Sequence, residues 1–291
     1  MNIGVNQFCF PSSYGVAEAL KSARALGFDS FEACLTADGG ARDGGVADAL
    51  DIAGYVNPLL NVSSSESDIR ELKRVADGEG IRITGVGGIV SFSIYPLNAR
   101  EESVARKSLD AVRKMLDAAR ILGADTALVI PGLLTADMDY RGSYERAQSR
   151  LAILADYAPD IAIAVENVWN NCLYSPMELA AFVDQVGRAN VGIYFDVANA
   201  RRFGYPEQWI RTLGSRIRRL HCKDYRVAND NIHSFTNLLD GDVDYPAVMD
   251  ALREIGYGGE LVVELIPPAR TMVERTLAYA RGVLVELIAQ K

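Results

Sequence analysis

Apolar residues along this chain fall into two alternating patterns. Short runs rich in Val, Ile and Phe, apolar at every second position or throughout, alternate with longer stretches where apolar residues recur at three- and four-residue spacing. The first pattern reads as buried strand and the second as amphipathic helix. Eight strands are predicted, over 2–8, 28–34, 81–88, 125–132, 161–168, 191–197, 217–223 and 260–266. The helices between them carry apolar stripes. Val104, Val112, Met115, Ala119 and Leu122 precede the fourth strand, and Val273, Leu277, Ala280, Leu284 and Ile288 lie near the C-terminus.

The punctuation follows the same period. Ser175, Pro176 and Glu178 in "SPMEL" predict an N-cap, a first helical residue and a capping box. The glycines of "LGF" (26–28), "LGA" (122–124) and "IGY" (255–257) stand where left-handed backbone ends a helix. Eight strand–helix repeats predict an α/β domain with a parallel sheet. A closed (β/α)8 barrel fits better than an open doubly wound sheet, because no Gly-x-Gly-x-x-Gly loop follows the first strand. No linker or composition shift interrupts the chain, so a single domain over 1–291 is expected. Residues 36–65, "TADGGARDGG…NVSSSE", read as an irregular connection contributing to a mouth or lid.

Composition narrows the partners. The chain is 49% hydrophobic, enough for a large core, and 30 Lys+Arg against 38 Asp+Glu leave a net charge of −8. With no basic run longer than "RIRR" (216–219), nucleic acid and anionic membrane are not expected partners. No apolar run approaches the roughly 18 residues of a membrane span, and "MNIGVNQFCFPSS" lacks the shape of a signal peptide, so a cytoplasmic location is expected. Cys9, Cys34, Cys172 and Cys222 form no CxxC and are expected to be reduced and structural.

Barrel enzymes place their chemistry at the C-terminal ends of strands. Four consecutive strands here end in metal-ligand residue types: Glu166, Asp196, His221 and Glu264. Converging buried charges need a partner, and a shared cation is the simplest one. Three carboxylates and one imidazole suit Mn²⁺, Mg²⁺ or Co²⁺ with open positions for substrate oxygens, with zinc as an alternative. Taken alone, His221 also reads as a satisfied core histidine and Lys223 as the ion-pair partner of Asp224 or of a neighbouring strand. Glu32 closes the second strand and reads equally as a buried carboxylate paired with a lysine or arginine. Trp169 reads as packing or as a pocket wall, and His233 as surface or rim.

The segments "AVENV", "YFDVANA", "LHCKDYR" and "LLDGDVDYPAVMDALREIGYGGELVVEL", in that order, resemble the xylose-isomerase-like TIM-barrel superfamily. They are most similar to its ketose 3-epimerases, both the L-ribulose/L-xylulose-5-phosphate and the tagatose/psicose branches. "GFDSFE" (27–32) and "ARILGADTALVIPG" (119–132) extend the resemblance over essentially the whole chain. It implies one divalent metal, Mn²⁺ foremost, held by Glu166, Asp196, His221 and Glu264. Glu166 and Glu264 would double as the acid/base pair that inverts the carbon beside a ketone through a metal-bound cis-enediolate. The implied substrate is a sugar or sugar phosphate and the implied assembly a homodimer or homotetramer.

Within that resemblance Lys223 would reach the enediolate, Glu32 a substrate hydroxyl and Trp169 the sugar face. Asp224 would orient His221 or Lys223. Asn199 matches the pentulose-phosphate branch, where the tagatose branch tends to carry histidine. Asp240 stands where the family commonly has glycine, and Arg201, Arg202 and Arg226 are the cations available for a phosphate. Close rivals are a hydroxypyruvate-type aldose–ketose isomerase and a lyase (dehydratase or C-glycoside deglycosidase) on the same barrel. The related endonucleases need a multi-zinc cluster with several histidines, which a chain with two histidines and net charge −8 does not offer. A non-catalytic sugar-binding module would not need two such carboxylates.

Overall fold

The computed structural model describes residues 1–37 and 55–290. Eight parallel strands close into a barrel: β1 Asn2–Asn6, β2 Ser30–Cys34, β3 Arg82–Gly87, β4 Thr126–Val129, β5 Ala162–Glu166, β6 Val191–Asp196, β7 Ile217–Cys222 and β8 Glu260–Val263. Each strand pairs with its neighbours in sequence, and β1 closes on β8. Around them run α1 Val16–Ala25, α2 Glu66–Glu79, α3 Glu102–Leu122, α4 Tyr140–Tyr157, α5 Pro176–Val186, the short α6 Val197–Arg201, α7 Pro206–Leu213, α8 Tyr245–Glu254 and α9 Val273–Ala289. All eight strands lie where the apolar pattern predicts them. All but the second end earlier than that pattern, because the chain leaves the sheet there to surround the barrel opening. Of the glycine- and serine-rich connection read over 36–65, positions 38–54 lie outside the described residues.

The helix faces are shifted slightly from the predicted stripes. On α3, Val104 is half-buried while Ala105, Ser108 and Leu116 join the buried face; on α9, Val283 and Leu287 are buried and Ile288 is half-buried. Ser175 caps α5 by accepting from the Glu178 N–H at 3.2 Å. The Glu178 carboxylate reaches past the cap to accept from the Tyr174 N–H at 2.9 Å, so the predicted reciprocal box is displaced by one residue. Gly27, Gly123 and Gly256 take φ of 83°, 79° and 69°, the left-handed backbone expected at those helix ends. The four cysteines are free. Among the described residues no helix is long and apolar enough to cross a membrane.

Strand alternation decides what enters the barrel. On β6, Ile193 and Phe195 join the core shared with the helices, while Tyr194 packs with Leu128, Ala164 and Val262 inside the barrel. On β7 the same alternation turns Leu220 and Cys222 outward and Arg219 and His221 inward. Arg219 closes the N-terminal end of the interior. Its guanidinium donates to the Glu260 carboxylate, to the Thr84 hydroxyl at 3.1 Å and to Asp125 at 2.8 Å, and Glu260 also accepts from Ser30 and Thr84.

Glu260 lies inside the barrel with Arg219 as its ion-pair partner, so removing the arginine strands a buried carboxylate. Arg219→Met is therefore expected to cost about 3–5 kcal/mol in urea unfolding. The double substitution Arg219→Met/Glu260→Met should recover most of that loss, and a double variant no more stable than the single one would contradict the pairing.

Candidate functional site

The opposite, C-terminal end of the barrel gathers the other inward-facing charges. In-register pairing sets Asp196 beside His221, Glu166 beside Tyr194 and Asn6 beside Glu32. The ladder continues one step past β8, where the Glu264 N–H donates to the Cys222 carbonyl at 3.1 Å. Glu166, Asp196, His221 and Glu264 are thereby brought together, all buried, with one ligand atom from each lying within 4.8 Å of the others. His221 Nδ1 is 3.3 Å from a carboxylate oxygen of Glu166, 3.3 Å from one of Glu264 and 4.0 Å from one of Asp196.

The other imidazole nitrogen is already committed. Nε2–H donates to Glu32 at 2.9 Å, which leaves Nδ1 facing the three carboxylates as a ligand atom. Glu32 is held in turn by the Tyr194 hydroxyl and the Asn6 amide, each at 2.5 Å. Burial opposes its ionisation, but His221, the Tyr194 hydrogen bond and the charge of Arg219 outweigh that and hold the carboxyl below its ordinary range. The residue read from the sequence as a contact to a substrate hydroxyl thus has both oxygens engaged by protein donors. Its buried partner is a histidine rather than the lysine or arginine anticipated.

Lys223 does not pair with Asp224. Its ammonium lies between Asp196 and Glu264 and donates to both. Burial pulls its pKa down, yet these carboxylates outweigh the burial and keep it protonated. Asp224, next in sequence, projects the other way. Its carboxylate accepts the N–H groups of Tyr225 at 2.7 Å, Val243 at 3.0 Å and Leu239 at 3.1 Å. The expectation that Asp224 orients His221 or Lys223 is therefore corrected: it shapes the loop over 239–243, where Asp240 is exposed and its carbonyl accepts from Arg226.

Four buried carboxylates here face one lysine and one imidazole, an excess of negative charge even with the imidazole protonated. Burial pushes the Glu264 carboxyl up to about 7, with Glu166 and Asp196 adding to the rise and His221 and Lys223 opposing it. For His221 burial works against the charged form, but Glu264 and Glu32 outweigh it and raise the pKa well above the usual value. A divalent cation fits this donor set on two counts. It would neutralise the excess charge, and it would meet oxygen and imidazole ligands already turned toward one point.

A cavity of about 150 Å³ opens onto the cluster, lined in part by Glu32, Glu166, Trp169, Asn199, Lys223 and Glu264. Trp169 stacks on Phe235 with centroids 4.9 Å apart, donates from its indole N–H to the Asn199 carbonyl at 3.2 Å, and carries the Arg202 guanidinium 4.3 Å from its ring centroid. Phe235 comes from a short antiparallel ribbon, Asp224–Tyr225 with Phe235–Thr236, inserted after β7. His233 is exposed, in keeping with the surface reading. Sequence reasoning missed Tyr194, Asn6, Asn167 and Phe235. Asn167 accepts from the Asp196 N–H at 2.7 Å and donates to its carbonyl at 2.9 Å, fixing the end of β6. Tyr194 was within reach of the sequence, since it precedes Asp196 by two positions on one strand and must share its face.

A family model described as xylose isomerase-like TIM barrel matches residues 20–282. An uncharacterized protein of Methanocaldococcus jannaschii is 26% identical over 173 residues, covering 56% of this chain and 58% of its own length. Inosose isomerase of Bacillus velezensis is 27% identical over 199 residues, covering 63% of this chain and 69% of its own length. Among solved structures, a D-tagatose 3-epimerase-like protein superposes with a TM-score of 0.77 at 20% identity, covering 99% of this chain and 97% of its own. D-psicose 3-epimerase from Clostridium cellulolyticum H10 gives 0.75 at 19% identity over 99% of both chains. With the closed barrel and its strand-end carboxylates already described, the match over residues 20–282 shows that this chain belongs to the xylose isomerase-like TIM barrel family.

Proposed function

We propose that this chain is a divalent-metal-dependent 3-epimerase of ketoses or ketose phosphates. The observation that carries the reading is the pair Glu166 and Glu264, which approach the same imidazole nitrogen from β5 and from the end of β8 and line one cavity. Inverting a carbon beside a ketone requires one group to remove its proton and a second to return one on the other face. Two carboxyl groups about a common point can do this.

Glu166, Asp196, His221 and Glu264 would hold the ion, with the Glu32–His221 hydrogen bond fixing the imidazole tautomer. Bound there, a divalent cation supplies positive charge beside the ketone oxygen and makes the adjacent C–H more acidic. In the epimerase reading one of Glu166 and Glu264 takes the C3 proton, and the other, protonated, delivers its own to the opposite face. Lys223 keeps positive charge beside the enediolate oxygens, and Trp169 with Phe235 shields that intermediate from water. A second reading has the inosose isomerase similarity behind it: an isomerase that takes its proton from C1 instead and moves the carbonyl there.

Deuterium separates the two. In D₂O, proton NMR of a ketose panel with the Mn²⁺-loaded protein is expected to show loss of the C3 hydrogen signal and growth of the C3 epimer. Exchange at C1 instead would support the isomerase. Glu166→Gln and Glu264→Gln should each lower kcat/KM by about 10²–10⁴-fold. Mn²⁺ at about 100 times its Kd should add about 2.7 kcal/mol of stability, visible as a rise in Tm that Asp196→Asn largely abolishes.

Metal affinity should also depend on pH. In the metal-free protein His221, its pKa raised well above the usual value, carries a proton that must leave before the ion binds, and below about 7 Glu264 carries a second. Mn²⁺ affinity is therefore expected to weaken as pH falls by roughly tenfold per unit just above that value and more steeply below it. Calorimetry in two buffers of different ionisation enthalpy would count the protons released.

A further inference from the structure

The cavity is divided by polarity. Four of its five ionisable groups, Glu166, His221, Lys223 and Glu264, come from the later strands, and the fifth, Glu32 on β2, is already engaged by His221, Tyr194 and Asn6. Facing them is a wall built from the loop after β3 and the end of β4: Ile89, Phe92, Leu128 and Ile130, continued by Val168 after β5. Phe92, Leu128 and Ile130 belong to a closed apolar cluster with Ala164, Tyr194 and Val262, so the wall rests on the barrel's packed interior. Ile232 and Phe235 from the inserted ribbon cover the cavity with further apolar surface.

Cations are as unevenly placed. Among the described residues lining the cavity, Lys223 is the only lysine or arginine, and its ammonium is engaged by Asp196 and Glu264. The three arginines read from the sequence as available for a phosphate are turned to other tasks. Arg201 donates to the Asp242 carbonyl at 2.8 Å, Arg202 pairs with Asp230 at 2.9 Å while lying over Trp169, and Arg226 donates to the Asp240 carbonyl. None of them lines the cavity.

Resting on the proton-transfer reading above, we propose that the substrate is an unphosphorylated α-hydroxy ketone whose end remote from the reacting carbon is apolar, a deoxygenated or aryl-bearing sugar. The hydroxy-ketone end meets the carboxylates, imidazole and lysine, and the remote end lies against Phe92, Leu128 and Ile130. Among the described residues, that wall offers a phosphate dianion no cation and a hydroxyl no side-chain partner, so either group would lose its water there without compensation.

The test uses the full-length, Mn²⁺-loaded protein and four matched probes: a 2-ketohexose, its 6-deoxy form, its 6-deoxy-6-phenyl form and its 6-phosphate. Deuterium incorporation gives kcat/KM, and calorimetry gives Kd whether or not any probe reacts. The 6-deoxy or the 6-phenyl probe is expected to bind about 10- to 100-fold more tightly than the parent ketohexose. The 6-phosphate is expected to bind no better than the parent, and whichever apolar probe leads identifies the tail as alkyl or aryl. Leu128→Gln should shrink the apolar preference by about tenfold while keeping the Mn²⁺-induced rise in Tm; Ile130→Thr serves the same purpose should Leu128→Gln fail to fold.

Tightest binding of the 6-phosphate or of the parent ketohexose overturns the proposal, as does millimolar binding of none of the four. C3 exchange with a preference for the phosphate would leave the epimerase reading standing and sink this one. Tight binding of an apolar probe with no exchange anywhere would do the reverse.

Discussion

Everything at the C-terminal end of this barrel depends on holding Glu32, Glu166, Asp196 and Glu264 out of water within reach of one histidine and one lysine. Like charges so close cannot all remain ionised unless opposite charge or hydrogen-bond donors are supplied to each. The fold supplies them unequally. Glu32 receives an imidazole, a phenol and an amide, Asp196 and Glu264 share Lys223, and burial still raises Glu264 to about 7 against the pull of Lys223 and His221. The same crowding that costs stability turns oxygen and imidazole ligands toward one point, a donor set that a divalent cation would suit.

The two ends of the barrel use the same strands for different purposes. β7 turns Arg219 inward near its start and His221 near its end, with Lys223 just beyond; β8 carries Glu260 at its start and Glu264 one residue past its end. At the start, Arg219 matches the buried Glu260 and also reaches the exposed Asp125, with Ser30 and Thr84 completing the hydrogen bonds of the plug. At the far end the carboxylates outnumber their partners. Strand alternation lets one short segment contribute to both, since inward positions recur every second residue.

Above the cluster, the ribbon inserted after β7 changes the character of the opening. Asp224 accepts backbone N–H groups from both sides of the loop, anchoring the ribbon that carries Tyr225 and Phe235 against Trp169. Arg202 lies on the far side of the indole and is itself held by Asp230. An aromatic wall braced from behind is stiff, which gives the opening above the carboxylates a fixed shape as well as a charge.

Much of this was legible in the residues alone. Period-two and period-3.6 patterns located all eight strands to within three residues at either end and the faces of α3 and α9 nearly residue for residue, because burial on a sheet or helix imposes its period on the sequence. Strand-end position also singled out Glu166, Asp196, His221 and Glu264, whose convergence the barrel makes inevitable. Pairings between side chains distant in sequence were not legible. Glu32 with His221 spans 189 positions, Tyr194 with Glu32 spans 162, and no local pattern encodes either. Nor could sequence decide that Lys223 turns to Asp196 and Glu264 while its neighbour Asp224 organises a loop, or that one wall of the cavity is apolar. The sequence by itself determined the barrel and the residues at its mouth, because periodic burial is a local property. Tertiary structure alone decided which charges compensate one another and what surface they face, because those depend on distances set only when the barrel closes.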